Sequence, residues 1–378
     1  MSGRTRLIGL TEDELRSFLS ELGQPGYRAK QLMDWLYVKR VGSFAEMTNL
    51  PLSLRQALDE RGSVERRPLL ARQRSADGLT SKLLIDVGGQ AIETVLMRHD
   101  YGNTVCISTQ AGCRMGCAFC ASTLGGLARD LRPGEMADQL LACGDELPAD
   151  RVTHVVLMGS GEPLENYANV VAFLRLANNP AAFGISYRRM TLSTCGIVPA
   201  IHRLAGEGMP ITLAVSLHAP NDALRTELMP VNRRFPLAEL IPACAEYARV
   251  TGRRVTLEYA MIDGVNDSPR EARQLADLVR DFPGHINLIP INPVVERGLR
   301  PSGPAAVARF QSILAERGVG ATVRREMGGD IDAACGQLRW RAMAAHQSET
   351  TETGGKADGS GSSPNRRRPG SPGKSQRR

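Results

Sequence analysis

The sequence lacks any long apolar segment. No stretch approaches the ~18 uninterrupted apolar residues of a membrane span, and no apolar segment follows the charged residues at the start of the chain. We therefore expect neither a membrane span nor a secretory signal, and we predict a cytoplasmic protein. The 378 residues, of which 42% are hydrophobic and 23% charged, exclude collagen-like, fibrous and wholly disordered classes.

Most of the chain also lacks net charge. The formal charge is +7, but residues 356–378 hold seven basic residues and one acid, which leaves +1 for residues 1–355. The segment 346–378 has almost no apolar residues and is predicted to be a disordered basic tail. A basic composition is therefore no argument that the folded part binds nucleic acid.

Eight cysteines in a cytosolic chain indicate metal or redox chemistry rather than a disulfide framework. Four of them lie between Cys106 and Cys120. Cys143, Cys195 and Cys244 are predicted to be small buried side chains.

The pattern of elements changes twice along the chain. Residues 11–62 read as at least two helices broken at Pro25-Gly26, and residues 68–98 read as a short β-hairpin region. From residue 103 onward, seven strands alternate with six helices, which predicts a parallel α/β sheet, either doubly wound or a full or partial barrel. Both architectures place their chemistry at the carboxyl ends of the strands.

The strongest motif is Cys113-Arg-Met-Gly-Cys117-Ala-Phe-Cys120, directly after the first strand of the alternating region. Three thiolates on a tight loop can hold three irons of a [4Fe-4S] cluster and leave the fourth iron open to a small molecule. A structural zinc site is the main alternative, but it needs a fourth ligand and the sequence has no second C-x2-4-C pair.

Polar residues follow several of the other predicted strands. Gly159-Ser-Gly-Glu-Pro163 follows the second strand, and Ser193, the run Ser216-Leu-His218 and Asn292 follow or end later ones. In a parallel sheet these positions share one edge, which predicts a common pocket. Four arginine pairs lie in the part of the chain before the predicted tail, and each is equally a candidate RNA contact or a solvated surface pair: Arg188/Arg189, Arg233/Arg234, Arg253/Arg254 and Arg324/Arg325.

The three-cysteine run resembles that of the radical S-adenosylmethionine superfamily, including the aromatic Phe119 before the last cysteine. With Cys106, the Gly159–Pro163 and Ser216–His218 motifs, Leu288-Ile-Pro-Ile-Asn-Pro293 and Gly329–Leu338, the chain is similar to the RlmN/Cfr family of radical SAM RNA methyltransferases from about residue 10 to about 340.

The resemblance implies a partial (βα)6-type radical SAM barrel at 101–345. Before the barrel it implies a helical accessory RNA-contacting domain at 1–66 and a β-hairpin connector at 67–100. It implies a [4Fe-4S] cluster on Cys113, Cys117 and Cys120. The residues implied to bind S-adenosyl-L-methionine are Gly161, Glu162, Ser193, Ser216, Leu217, His218 and Asn292.

The resemblance also implies a two-stage reaction at C2 of adenosine, an electrophilic carbon that cannot attack a sulfonium methyl directly. Cys335 first accepts a methyl group. A 5′-deoxyadenosyl radical then removes a hydrogen from that methyl, and the resulting radical adds to C2. Glu93 takes the C2 proton, and Cys106 attacks the sulfur of Cys335 to release methylated RNA with a disulfide.

The implied substrates are 23S rRNA and transfer RNA, and the implied reductant is flavodoxin-like; we expect a monomer with no membrane partner. Methylation at C8 of adenosine and a non-catalytic metal-binding RNA module stay open as alternatives. Two positions depart from the family pattern: Ser160 stands where methionine is usual, and Cys195 where serine is usual.

Overall fold

The computed structural model describes residues 3–280, 282, 284–292, 294–324 and 329–331. All of them lie in one compact unit that runs from Met1 to Trp340. Cys335 and the predicted tail lie outside the described residues, so their predicted roles stay predictions.

The elements of the described residues are numbered here in chain order. The strands are β1 (Thr5–Arg6), β2 (Gly62–Ser63), β3 (Leu69–Arg74), β4 (Thr80–Asp86), β5 (Ala91–His99), β6 (Gly102–Cys106), β7 (Gln110–Gly112), β8 (Leu127–Asp130), β9 (Val152–Leu157), β10 (Met190–Thr194), β11 (Thr212–Ser216), β12 (Val255–Met261), β13 (Gly284–Pro290) and β14 (Ala321–Val323). The α-helices are α1 (Glu12–Glu21), α2 (Arg28–Met33), α3 (Leu52–Arg61), α4 (Pro133–Asp145), α5 (Tyr167–Asn178), α6 (Val198–Ala205), α7 (Asp222–Leu228), α8 (Leu237–Thr251), α9 (Pro269–Leu278) and α10 (Pro304–Glu316).

The amino-terminal helices form where the sequence predicts them. Helix α1 begins after Thr11, whose hydroxyl accepts from the Glu14 amide while the Glu14 carboxylate accepts from the Thr11 amide. This capping box satisfies two amide donors at the helix start. Pro25 and Gly26 lie between α1 and α2, so the predicted break is confirmed.

Helix α4 connects the amino-terminal helices to the central sheet. Leu15 and Leu32 belong to the same buried cluster as Leu141 of α4. An ion pair joins Arg6 Nη2 to Asp138 Oδ2 at 2.5 Å, and burial raises the pKa of the Asp138 carboxyl to about 6 against the opposing charge of Arg6. Other residues of α4, such as Leu140, lie in the main core under the sheet, so the helix is fixed on both sides.

The central sheet has ten strands in the order β14-β13-β12-β11-β10-β9-β6-β5-β4-β3. Strands β6 and β9 to β14 run parallel to one another and follow chain order without reversal, and only β6 has an antiparallel neighbour, β5. A doubly wound sheet reverses its strand order, so the described strands form the predicted partial barrel. The region predicted as a hairpin forms three antiparallel strands, β3 to β5, which extend this same sheet beyond β6.

The two faces of the parallel strands differ in polarity. Leu192, Leu213 and Leu257 face the helices and are fully buried in the main core. The opposite, inward face carries Ser216, which is in register with Glu258 of β12. The apolar face drives packing of the helices, and the polar face is left for a ligand.

Among the residues described, no helix is both long enough and apolar enough to cross a membrane.

Candidate active site at the carboxyl edge of the barrel

The three-cysteine loop leaves the short hairpin β7–β8 at the carboxyl edge of the barrel. The Cys113 amide donates to the carbonyl of Gly126 at 2.9 Å, which closes the base of the loop. The Ala118 amide donates to the carbonyl of Leu228 at 2.9 Å, which fixes the middle of the loop against the end of α7. The backbone of the loop that carries the three thiols is therefore fixed at Cys113 and at Ala118.

The thiols lie in apolar surroundings. Cys113 and Cys117 are buried, and Cys117 belongs to a buried cluster whose other members include Ala219, Met229 and Ile262. Burial raises the pKa of the Cys113 thiol to about 12 and also raises the pKa values of Cys117 and Cys120. Thiolates in this environment need a cation, which iron supplies while it displaces the protons.

The loop fits an iron–sulfur cluster. All seven cysteines among the described residues are free of disulfides, so the three thiols of the loop are available as ligands. No three His, Cys, Asp or Glu side chains in that part of the chain converge on a point that would hold a single ion. A cube does not require such convergence, since each thiolate binds a different iron.

The two glycines of Gly159–Pro163 pack closely against neighbouring residues of the protein. A Cβ on Gly159 would lie 2.7 Å from the Ile107 carbonyl oxygen, and one on Gly161, at φ +107°, would lie 2.7 Å from the Gln110 amide. This motif is therefore packed against the segment that leads from β6 to the cysteine loop. Contact between Gly161 and a cofactor stays a prediction.

Glu162 is buried and bridges two strand ends. Its Oε1 accepts from the Leu164 amide at 2.9 Å and its Oε2 from the Cys195 amide at 2.7 Å. Burial raises the pKa of this carboxyl, against the lowering effect of the two amides. A carboxylate has about four acceptor sites, so capacity remains for the predicted ammonium contact.

Ser193 and Ser216 point to the same inward face. Ser193 is in register with Ala214, two residues before Ser216 on the neighbouring strand. Leu217 differs, because its side chain is fully buried in the main core. Its amide donates to the Glu258 carbonyl and its carbonyl accepts from Arg225, so contact of Leu217 with a cofactor stays a prediction.

His218 is held rigidly with a neutral ring. Its backbone adopts φ +57°, and its carbonyl accepts from Asn266 Nδ2 at 2.8 Å. Its Nδ1 accepts from the Ala260 amide at 2.9 Å, which assigns the proton to Nε2. Burial, and after it the charge of Arg225, lowers the pKa of His218 to about 3. The ring meets Phe119 edge-to-face at 4.7 Å, which links this strand end to the cysteine loop.

Cys106 and Glu93 lie on one face of the sheet. Cys106, the last residue of β6, pairs with Val95 of β5, and Glu93 is two residues from Val95 on that strand. Such diagonal neighbours lie ~7–8 Å apart. Both are near the carboxyl edge. Cys106 ends β6, and Ser108, which follows that strand end, donates through its hydroxyl to the Glu93 carbonyl at 2.7 Å. Asn292 follows β13 and is half-buried; Cys335 lies outside the described residues.

The sequence reasoning missed Arg225, a fully buried arginine of α7. Its guanidinium donates to carbonyls at the ends of two strands, Cys195 at 2.7 Å and Ser216 at 3.2 Å, and to Asn232 Oδ1 at 2.8 Å. Burial lowers the pKa of Arg225. An arginine between Leu224 and Thr226 gives no sequence signal of burial, because its partners lie up to 30 residues away.

These contacts also explain one departure from the family pattern. Cys195 accepts from Arg225 through its carbonyl and donates to Glu162 through its amide. Both bonds use the backbone, so either cysteine or serine satisfies them. The Cys195 thiol also hydrogen-bonds to the Glu162 carboxylate, a contact that a serine hydroxyl can make as well.

A second missed residue is Glu258, a buried carboxyl on the inward face of β12. It is in register with Ser216 on one side and with Asn287 on the other, and its Oε2 accepts from Asn287 Nδ2 at 2.8 Å. Burial raises its pKa. The signal available in the sequence was a charged residue within the apolar strand at 255–261.

Comparison with known proteins agrees with this geometry. Residues 5–64 match the family "Ribosomal RNA large subunit methyltransferase N-terminal domain", and residues 107–276 match the radical SAM superfamily. A crystal structure of a radical SAM methyltransferase from Sphaerobacter thermophilus has a TM-score of 0.85 and 44% identity, covering 88% of this chain and 98% of that one.

Two curated relatives are named probable dual-specificity RNA methyltransferase RlmN. The relative from Symbiobacterium thermophilum is 54% identical, with 91% of this chain and 94% of the relative covered. The relative from Geobacillus kaustophilus is 48% identical, with 88% and 92% covered. With this identity over nearly the whole length of both proteins, the chain belongs to the RlmN family of radical SAM RNA methyltransferases.

Proposed function

We propose that the protein methylates C2 of adenosine in 23S ribosomal RNA and in transfer RNA through a methylated cysteine. The observation that carries the proposal is the placement of Cys106 and Glu93 on one face of the sheet, at the edge from which the three-cysteine loop departs. The curated relatives are named as RNA methyltransferases of dual specificity, which supports two classes of RNA substrate.

The radical SAM superfamily uses a [4Fe-4S] cluster and S-adenosyl-L-methionine, which together supply a 5′-deoxyadenosyl radical. Cys113, Cys117 and Cys120 would hold the cluster in its apolar pocket. Glu162 would accept from the methionine ammonium, and Ser193, Ser216, the Leu217 backbone, His218 and Asn292 would line the rest of the cofactor site, with Gly161 beside them.

The remaining steps belong to side chains of this protein. Cys335 accepts the methyl group and carries the carbon to C2. Glu93 takes the C2 proton, a step for which a buried carboxylate is suited. Cys106 then attacks the sulfur of Cys335, which breaks the bond to carbon and forms a disulfide.

A flavodoxin-like one-electron reductant, a monomeric state and a cytoplasmic location complete the proposal. The location follows from the ribosomal RNA substrate and accords with the lack of a membrane-crossing helix among the described residues.

The product identifies the reaction. We expect the anaerobically purified protein, given S-adenosyl-L-methionine, a reductant and unmethylated RNA, to produce 2-methyladenosine in nucleoside mass spectrometry. Cys335→Ala should give no methylated nucleoside and no methyl label on the protein. A product consisting only of 8-methyladenosine would contradict the C2 assignment, and bound zinc without cofactor turnover would identify a non-catalytic module.

Replacing Cys106 should trap the covalent intermediate, because no thiol would then resolve the bond between Cys335 and RNA. We expect Cys106→Ala to give a protein–RNA adduct on denaturing gels, removable by nuclease, and at most about one methylation per chain. The matched control is Cys143→Ala, a buried cysteine on α4, behind the same sheet. Repeated turnover by Cys106→Ala without an adduct would exclude the resolving role.

A further inference from the structure

Five arginines lie at the edge of the barrel opposite the candidate active site. Arg151 directly precedes β9, Arg188 and Arg189 precede β10, and Arg253 and Arg254 precede β12. The amino ends of parallel strands meet at one edge, so these residues come together in space. All except the half-buried Arg253 are exposed. We call these five residues, with Tyr101, the amino-edge strip.

The contacts within the strip show that it is continuous. Arg253 Nη2 donates to the Arg188 carbonyl at 3.5 Å and to Thr212 Oγ1 at 3.0 Å, so this side chain spans from β12 across β11 to β10. The pKa of His154 in β9 is lowered by burial and then by the charge of Arg189. The arginines lead into β9, β10 and β12, and the Arg253 side chain crosses the start of β11, so positive charge extends across this part of the edge.

The strip carries little opposing charge. None of the five arginines forms an ion pair with a carboxylate among the described residues. The turns that lead into β6 and β9 to β12 contain four acids: Asp100, Glu146, Asp150 and Glu207. Glu146 is paired with Arg72 and Arg74, and Glu207 with Arg175, none of which belongs to the strip. Asp150 is occupied locally, because its carboxylate accepts from the Arg151 amide at 2.7 Å and from Asn103 Nδ2 at 2.6 Å. The four exposed arginine side chains are therefore available to an anion, whereas Arg253 is engaged with Arg188 and Thr212.

Tyr101 adds an aromatic surface at one end of the strip. It is 67% exposed, and its ring is stacked on His99 with centroids 4.6 Å apart and planes 10° from parallel. The edge of His154 meets it at 5.4 Å. A ring fixed by two neighbours and open to solvent is suited to stack on an unpaired base.

We infer that the amino-edge strip binds the phosphate backbone and one unstacked base of the RNA substrate, in a segment remote from the methylated adenosine. This inference rests on the proposed function. Arginines without acidic partners beside an exposed aromatic ring match RNA better than they match a protein or a lipid surface. The six residues of β9 span ~20 Å between the two edges. Because the two edges face opposite ends of the barrel, we expect a short stem-loop bound at the active site to leave the strip free, and a larger folded RNA to extend to it.

The test compares two RNAs on the full chain with its cluster in place. The probes are an unmodified transfer RNA transcript and the isolated stem-loop that carries its target adenosine, with binding measured by fluorescence anisotropy over a range of salt. For the double variant R189A/R254A, the slope of log Kd against log salt for the full transcript should fall by about 2, one for each lost phosphate contact. Binding and methylation of the stem-loop should not change.

Tyr101 is tested separately from charge. Tyr101→Ala should weaken binding of the full transcript about 5- to 100-fold, as expected for loss of one stacked base, while Tyr101→Phe should bind like the wild type. The matched charge control is R270A/R273A on exposed positions of α9.

The outcomes separate this inference from the proposed function. Three results would each overturn the strip as a binding surface. They are an unchanged salt slope for R189A/R254A, an equal decrease in salt slope for R270A/R273A, and an equal decrease when R189A/R254A binds the isolated stem-loop. Failure of the wild type to methylate either RNA would instead overturn the proposed function, because binding to the strip is measured without turnover.

Discussion

Cys117→Ala is expected to abolish cluster assembly and all cofactor cleavage. Anaerobically reconstituted wild-type protein should carry about four irons per chain with the broad visible absorbance of a cube. Cys117 lies in a loop that backbone hydrogen bonds fix at its base and its middle. Cys195 packs in the same cluster, but its backbone is held at the end of β10 by Glu162 and Arg225, so we do not expect it to replace Cys117 as a ligand. Iron analysis, the visible spectrum and release of 5′-deoxyadenosine measure the effect.

The matched control is Cys244→Ala. Cys244 is fully buried on α8 and belongs to the main hydrophobic core. Its replacement should leave a small cavity and cost about 1 kcal/mol of stability while the iron content stays at the wild-type level. A Cys117→Ala protein that retains about four irons and cleaves the cofactor would show that the loop does not hold the cluster.

The secondary structure of the barrel could be predicted because its signals are local. The pattern of apolar runs predicts strand starts near Val152, Val255 and Ala321 and a helix over Tyr167–Asn178, and β9, β12, β14 and α5 have these starts and ends. Buried apolar runs and breaks at glycine and proline lie within one element and do not depend on its neighbours.

The contacts among elements could not be predicted in the same way. The segment 68–98 was expected to form a hairpin, but its strands also pair with β6, and that pairing depends on which edge of the sheet is open. Glycines at a strand end predict a close approach of backbone to a neighbour, and at Gly159 and Gly161 residues 107–110 make such an approach, while contact of Gly161 with a cofactor stays a prediction. A glycine in the sequence indicates that another group comes close to the backbone at that position, but it does not identify that group.

The candidate site shows the same division. The cysteine spacing predicts the cluster ligands without any knowledge of the fold, because three cysteines within eight residues must share a loop. The residue pairs that stabilise the site are distant in sequence, as with Glu162 and Cys195 or His218 and Asn266. Only the folded chain brings such partners together.

Arg225 is the residue whose loss should most damage the architecture of the site. Its guanidinium accounts for hydrogen bonds to four backbone carbonyls and one amide oxygen, and these carbonyls include those of Cys195, Ser216 and Leu217. Replacing it with alanine leaves these buried acceptors without a donor and opens a cavity between two strand ends. We expect Arg225→Ala to lower the free energy of unfolding by at least about 3 kcal/mol in urea denaturation.

Two further variants keep this prediction testable if Arg225→Ala does not fold. Arg225→Lys retains the charge but has fewer donors and no planar fork. It should therefore fold, with a free energy of unfolding between those of the wild type and Arg225→Ala. Arg233→Ala removes an exposed arginine a few residues away and should change stability by less than ~0.5 kcal/mol. A lysine cannot satisfy five acceptors in one plane, so the loss of these hydrogen bonds should lower the urea midpoint of Arg225→Lys. If Arg225→Lys and Arg233→Ala instead unfold at the same urea concentration, the hydrogen bonds from Arg225 do not hold the ends of β10 and β11 together.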